Sequence, residues 1–548
     1  MPTDAESMLK RADAAFSEQS QQLQKWRDAC DYCLPLPIYQ VGGTNSSVHT
    51  PNPDLVNDTA MQARRDLSSG MSSAFINAAE RWFDLQPSDE LSKEAHKKVA
   101  PWLANATKIM LRLFPKSGFY DRAVLALDHA GAMGTSAMKI EGGIPGSSSP
   151  LNCETWDIGS YAIAENGAGV VDQIWREMNP TVDQAESMWP DMKVDKLQWM
   201  TGDKKLTQRE VFVLEIRPRD QKEVRRGKGA LQMPFEGTII HKQSKTVVWR
   251  GGWQEFPVLV YRYARQGNIT PWGTGPGIDA LASARGVNYL TASLADGVDK
   301  MASPPLAVMD NIRGVGDFQS RGVTMVDNLE NAPRPIFTVG NMQAGNLFLD
   351  KLENALRRHF HSDLFSFFLN DDRFKTATVA MQIASEKLGL FAPFAHRFLH
   401  EFSAPAIERT FMVCFRQGLF GKAPVEALTQ TPSGQWVFTY PKVVQQSRMA
   451  LALQEMGKQD VRQVFTDIIP VAQIDPTALD YIDFGVAVKM LGANEITMPG
   501  LVRADEDVAM MRQARAQAQA QQQQAEMMAQ FATKNPDHAA AALAGAAA

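Results

Sequence analysis

The chain has 548 residues, of which 44% are hydrophobic and 21% charged, with a formal net charge of −5 and four cysteines. That length accommodates roughly two to four domains with well-buried cores. Its acidic balance argues against tight monomeric binding to nucleic acid through many phosphates, which calls for a basic excess. No window approaches the ~18–20 unbroken apolar residues of a membrane span.

The N-terminus is charged and helical in pattern rather than a secretory signal, so synthesis in the cytoplasm is expected. Residues 3–33 predict a long amphipathic helix with Leu9, Ala12, Phe16, Leu23, Trp26, Cys30 and Cys33 on one face. The Cys30–Cys33 CxxC therefore reads as core. A zinc site needs a second ligand pair, and Cys153 and Cys414 stand alone. After "LPLP" and a polar loop, Asn57 or Asp58 is the expected N-cap of a helix. Its face of Ala60, Ala63, Leu67, Met71, Ala74 and Ala78 lets another backbone approach closely, and Trp82-Phe83 begin an extended segment. Further helices are expected near 92–114 and 119–131, with Gly118 between them and "AGAMG" ending the second.

From about 134 to 265 the pattern changes to short alternating runs. "YAIAENGAGVVDQIWREM" alternates around Asn166-Gly167, a hairpin signal, and "EVFVLEIRPR", "TIIHKQSKTVVWR" and "FPVLVYRYAR" also read as strands. A short helix near 181–189 interrupts them. The fold class is α+β, mostly helical, with a largely antiparallel sheet. A long helix follows over about 276–302, then some forty Gly- and Pro-rich residues, then a second long helix over about 344–369. At ~1.5 Å per residue each long helix would reach roughly 40 Å. An isolated hairpin of this kind exposes apolar surface that neighbouring copies can cover. Residues 376–417 read as a helical stretch kinked at Pro393 and Pro405 and ended by Gly418. A strand "GQWVFTYP", helices near 442–469 and 476–491, and a Gln/Ala/Met-rich helix with an Ala-rich tail close the chain.

The chemistry-bearing motifs are weak. Gly273, Gly275 and Gly277 lack the preceding strand and following acidic strand end of a dinucleotide site, so no cofactor is expected and the run reads as a hinge. "GLFGKA" lacks the Ser/Thr and spacing of a phosphate-binding loop. His396 and His400 lack the Glu of a metalloprotease helix. No nucleophile constellation stands out, so the chain is expected to be structural rather than an enzyme. Lys351, Arg358 and His361 share a face of the second long helix with Asn354, as either a solvated face or a strip facing a polyanion. "NDDRFKT" places Arg373 and Lys375 in a loop where they can reach a phosphate backbone, or simply solvent.

Several stretches together resemble the head-to-tail connector, or portal, family of short-tailed bacteriophages. They are "DLVNDTAMQARRDLSSGMSSAFINAAERWFDL", "WGTGPGIDALASARGVNYL", "FKTATVAMQIASEKLGLFAPFAHRFLHEFSAPAIERTFMVCFRQGLF" and the Gln/Ala/Met-rich C-terminus. Pro393 departs from the family pattern and bears on the path of the kinked helix. The resemblance implies a twelve-fold ring at one capsid vertex of the virion, through which double-stranded DNA is packaged and ejected. It implies a wing over 1–270, stem helices over 271–302 and 344–369, and a clip over 303–343. A tunnel loop and the rest of the wing would span 370–440, a crown 441–500, and a barrel helix with its tail 501–548. The implied partners are further copies of the chain, DNA, the terminase large subunit, a tail adaptor, and the major capsid and scaffolding proteins, with no membrane. Arg373 and Lys375 in the loop, and Lys351, Arg358 and His361 on the stem, are the candidate DNA contacts. Two other classes compete: another homo-oligomeric virion protein of the tail or internal core, and an enzyme whose site residues are dispersed.

Overall fold

The computed structural model describes residues 4–35, 54–143, 149–192, 202–219, 233–265, 269–302, 342–369, 389–430, 440–447 and 449–451, with isolated residues and short runs besides. Residues 1–453 form one compact unit and 454–548 a second. Nearly everything described belongs to the first, a mixed α+β structure.

Helix α1 (Asp4–Tyr32) lies on a sheet, because its apolar face has helical spacing. Met8, Leu9, Ala12 and Phe16 form one core with Ala162, Trp175, Val213 and Ile240. Further along, Cys30 and Cys33 are fully buried, so the CxxC is core as expected. Gln19 is 1% exposed and donates its amide to the carbonyls of Gly159 (2.9 Å) and Tyr161 (3.0 Å), fixing the helix to the strand below. Strands β1 (Ile38–Tyr39) and β2 (Val48–His49) form a short ladder before helix α2 (Thr59–Phe75).

The small-residue face of α2 admits an aromatic ring: a Cβ added at Gly70 would lie 2.3 Å from Phe365. The helix ends at Phe75, so Ala78 is exposed rather than part of the stripe. Trp82 and Phe83 are fully buried, and Phe83 opens strand β3 (Phe83–Gln86). Helices α3 (Lys93–Lys116) and α4 (Phe119–Met133) are separated by Gly118 at φ 68°, and Gly134 at φ 83° ends α4. Phe114 and Phe119 of these helices pack on Trp82, whose indole N–H donates to Tyr120 Oη at 3.2 Å.

The β region contains strands β4 (Thr135–Gly142), β5 (Leu151–Trp156), β6 (Tyr161–Glu165) and β7 (Val171–Met178). Helices α5 (Val182–Met188) and α6 (Asp203–Thr207) intervene before β8 (Phe212–Pro218), β9 (Phe235–His241), β10 (Thr246–Trp253) and β11 (Val258–Arg262). A capping box between Thr181 and Gln184 starts α5. The strands form a five-stranded sheet in the order β10-β9-β8-β7-β6 and a three-stranded sheet in the order β11-β4-β5, and every pairing is antiparallel. The β6–β7 hairpin forms, although Gly169 rather than Gly167 takes the positive φ, while Asn166 Oδ1 accepts from the backbone of Ala168 and Val170.

Strands β12 (Ala264–Arg265) and β13 (Gly273–Thr274) lead into a short helix α7 (Pro276–Asp279) and the longer α8 (Leu281–Ala302). The expected continuous helix is thus interrupted at Ala280. Strands β14 (Leu306–Ala307) and β15 (Arg334–Pro335) pair, and the rest of 303–341 lies outside the described residues. The second long helix is also two: α9 (Met342–His359) and α10 (Ser362–Leu369). His361 separates them at φ 54°, a left-handed conformation that a continuous helix cannot contain. At ~1.5 Å per residue, α8 and α9 reach about 33 and 27 Å rather than 40 Å.

Helix α11 (389–398) passes through a π-helical turn, Leu399–Ser403, into α12 (Ala404–Arg416), and Gly418 at φ 72° follows. Strands β16 (Leu428–Gln430) and β17 (Trp436–Phe438) pair with each other. The segment 442–445, expected to begin a helix, is strand β18 (Lys442–Gln445) paired with β3. Its Val443-Val444 pair suits a strand, and β3 offers the complementary edge. A helix resumes at 449–451; of the expected helices beyond, Met511, Gln513, Gln517 and Gln523 are helical and the rest lies outside the described residues.

Candidate functional site

Helices α8 and α9 are antiparallel. A Cβ at Gly286 would lie 3.2 Å from Leu352, and one at Gly345 would lie 2.9 Å from Leu294, so the two chains run in opposite directions past each other. Only Ala284, Val287 and Leu356 of the pair are buried. Away from the mutual contact, Tyr289 is 72%, Leu347 63% and Phe348 53% exposed. Asn57 ties the pair to the start of α2, donating its side-chain amide to Thr291 Oγ1 and Glu353 Oε1, both at 3.2 Å.

Leu347, Lys351, Asn354 and Arg358 recur at i, i+4, i+7 and i+11, one exposed stripe of α9. Lys351 and Arg358 carry no ion pair with any described residue. On α8, by contrast, Arg285 pairs with Asp28 at 2.8 Å and Lys300 with Asp296 at 2.5 Å. Among the described residues, the unneutralised cations of the pair therefore lie on the second helix.

His361 is parted from that stripe by the left-handed turn. It is half-buried, with Phe391 and Phe394 rings at 5.3 and 5.6 Å. Burial, reinforced by the nearby His359, holds its pKa below the usual imidazole value. Arg358 and His361 nonetheless line one cavity of about 380 Å³ with Tyr263, Pro276, Asp279 and Phe394. Lys351 does not reach it. Arg373 and Lys375 lie outside the described residues.

Pro393 is exposed within α11 and Pro405 is the second residue of α12. Both are contained in helical structure, with the π turn immediately before Pro405. In an α-helix the Pro405 ring would clash with the carbonyl four residues earlier, and the wider turn relieves that contact.

One arrangement had no signal in the sequence. Arg262, 4% exposed at the end of β11, donates its backbone N–H (2.9 Å) and Nη2 (2.7 Å) to the carboxylate of Glu401 in the π turn. It also pairs with Glu165 and donates to the carbonyl of Gly169 at 3.2 Å. Its acidic partners lie 97 and 139 residues away in the chain, beyond any local pattern.

The glycine run resembling a cofactor loop has a packing role. Cβ atoms at Gly273, Gly275 and Gly277 would lie 2.5, 2.4 and 2.4 Å from the carbonyl oxygens of Gly134, Ala130 and Ala132. Among the described residues, no group of three His, Cys, Asp or Glu is placed to hold a metal, and no helix is long and apolar enough to cross a membrane. His396 and His400 are both exposed, and the latter falls in the π turn. The thiols of Cys33, Cys153 and Cys414 are pushed up to about 12, 11 and 12 by burial.

A family model described as bacteriophage head to tail connecting protein matches residues 5–499. Among curated proteins, the chain is 25% identical over 531 residues to the probable portal protein of Bordetella phage BPP-1, covering 94% of this chain and 91% of that one. It is 24% identical over 527 residues to the portal protein of Salmonella phage epsilon15, with the same coverage of each chain.

Proposed function

Since the chain belongs to the bacteriophage head-to-tail connecting protein family, we propose that it forms a twelve-fold portal ring at one capsid vertex, a conduit for double-stranded DNA. In this reading α8 and α9 are the stem, 303–343 the clip and 370–376 a tunnel loop. The parts up to 270 and from 377 to 440 form the wing, 441–500 the crown and 501–548 the barrel helix with its tail. The terminase large subunit and later a tail adaptor would dock at the clip, and capsid and scaffolding proteins would surround the ring. The role is structural, without a catalytic step.

The observation that carries this reading is the α8–α9 pair. It exposes Tyr289, Leu347 and Phe348, apolar surface that a neighbouring copy can cover. It also carries Lys351 and Arg358 without acidic partners among the described residues, on a chain whose net charge is −5. In a ring, each such cation recurs in every subunit and becomes a collar. Few collars on an acidic body suit DNA that must slide, since many phosphate contacts would hold it by counterion release.

Light scattering with negative-stain images down the particle axis tests the ring: a closed ring with an axial hole is expected, and a monomer or dimer in assembled particles would overturn it. Glutamine at Lys351, Arg358, Arg373 and Lys375 tests the DNA contacts. Changed length or retention of packaged DNA is expected, and wild-type values would remove these residues from the channel.

A further inference from the structure

The π turn at Leu399–Ser403 joins α11 to α12, and both sides rest on the body of the fold: on the α11 side, Phe398 lies 5.4 Å from Tyr261 of β11 and 5.1 Å from Phe75 of α2. On its C-terminal side, α12 is anchored in the body of the fold: Arg409, 4% exposed, donates to the Ile140 carbonyl at 3.1 Å and pairs with Glu255 at 2.8 Å. On its N-terminal side, α11 meets the far end of the α9–α10 segment. Phe391 lies 5.5 Å from Phe365 and 5.3 Å from His361, and Phe394 is 5.6 Å from His361 and stacks on Tyr263 at 4.7 Å. A helix is most easily bent where its hydrogen-bond ladder changes register, and here the Ala404 N–H reaches back five residues, to the carbonyl of Leu399.

At this weak point lies a largely buried charge network. Glu401 accepts from the Arg262 backbone N–H (2.9 Å), Nη2 (2.7 Å) and Nε (3.3 Å), and from Arg397 one turn earlier at 3.1 Å. Glu165 completes the network, pairing with Arg262 and, at 2.6 Å, with Arg265. The β6–β7 hairpin, the end of β11 and the π turn are thereby bound at one point. Such a cluster adds little net stability over apolar packing, but losing one member leaves a buried charge uncompensated.

From this geometry we infer that the π turn is a latched hinge. Glu401 held by Arg262 fixes the angle between α12 and α11. Releasing the carboxylate loosens α11 against β11, and because Phe391 and Phe394 also contact His361, the loosening reaches the junction between α9 and α10. The latch therefore couples the wing-side sheet to the end of the paired helices. The inference concerns the single chain and stands whether or not copies assemble.

Hydrogen–deuterium exchange on the full-length protein tests it, with peptides covering 389–403, 356–365 and, as a reference, 212–241. Glu401→Gln keeps the side chain's shape while removing its charge. Exchange in 389–403 and in 356–365 is expected to rise about tenfold or more, since hydrogen bonds to charged groups are worth that factor, with 212–241 unchanged. Arg397→Ala removes the half-exposed arm of the network and serves if the first variant does not fold. It is expected to give the same pattern, several-fold weaker. Faster exchange confined to 389–403, or an equal rise in all three peptides, would overturn the coupling.

Discussion

The same substitution is expected to have opposite signs at two glycines of this chain. At Gly275 the backbone has φ −134° and ψ 164°, which any residue adopts, so alanine gains about 0.4–1 kcal/mol by restricting the unfolded chain. Its Cβ would nevertheless lie 2.4 Å from Ala130 O, 2.9 Å from Gly134 N and 3.0 Å from Gly131 O. These are backbone atoms that no rotamer change can move. Parting the two segments costs about 1–3 kcal/mol of overpacking and weakens the bond from Gly273 N–H to Thr135 Oγ1 at 2.9 Å, about 1 kcal/mol more. The net expectation for Gly275→Ala is a loss of about 1–3.5 kcal/mol. At Gly286, in the interior of α8, the added Cβ meets only Leu352 Cδ1 at 3.2 Å, the end of a flexible side chain. The helical preference of alanine, about 1 kcal/mol, then prevails, and Gly286→Ala is expected to stabilise by about 0.5 kcal/mol. Urea unfolding of both variants, in the same assembly state as the parent, reads the difference. A neutral or stabilising Gly275→Ala would refute the reading of the glycine run as a backbone-to-backbone contact.

Three further outcomes are expected. Trp82→Ala, emptying the space beside the Phe114–Phe119 pair, should cost about 3–5 kcal/mol, with Trp82→Phe clearly milder, as measured by urea midpoints. Gln19→Glu should destabilise more than Gln19→Ala in the same assay, because a carboxylate would face two carbonyl oxygens at a 1% exposed position. Alkaline pH should weaken the fold. The thiols of Cys33, Cys153 and Cys414 stay protonated when folded up to about 12, 11 and 12, whereas an unfolded thiol ionises near 9.0. Stability is therefore unaffected by them below pH 9 and falls as pH rises from there, by about 1.4 kcal/mol per pH unit for each thiol. Absence of any loss between pH 9 and 10.5 in a urea titration would contradict their burial.

Periodicity made α1, α3, α4 and the antiparallel strands legible, since each buries one face and must show it at spacing 3.6 or 2. The burial of Cys30 and Cys33 followed from the apolar face of α1, whereas that of Cys153 and Cys414 did not. The lengths of the paired helices did not, because His361 interrupts an apolar pattern that runs on through Leu364. Only the left-handed turn stops the helix, and histidine does not announce it as glycine would. The strand at Val443-Val444 was hidden for the opposite reason: four residues between polar neighbours are too short for a pattern, and their partner Phe83–Gln86 lies far back in the chain. For the candidate site, the stripe of Lys351, Asn354 and Arg358 was readable from helical geometry. The separation of His361, and the Arg262–Glu401 pair, depend on where distant segments meet.

The meeting of the two glycine runs also sets an order of events. The Gly273 amide finds its acceptor on Thr135, 138 residues earlier, and no local preference of "GTGPG" can place it there alone. The seat formed by the end of α4 and the start of β4 has to exist before the chain entering α8 can settle. On a ribosome that seat emerges first, by well over a hundred residues, so synthesis from the N-terminus presents the platform before the segment that lands on it. A circular permutant that delivers α8 ahead of α4 would reverse the schedule while leaving every final contact available.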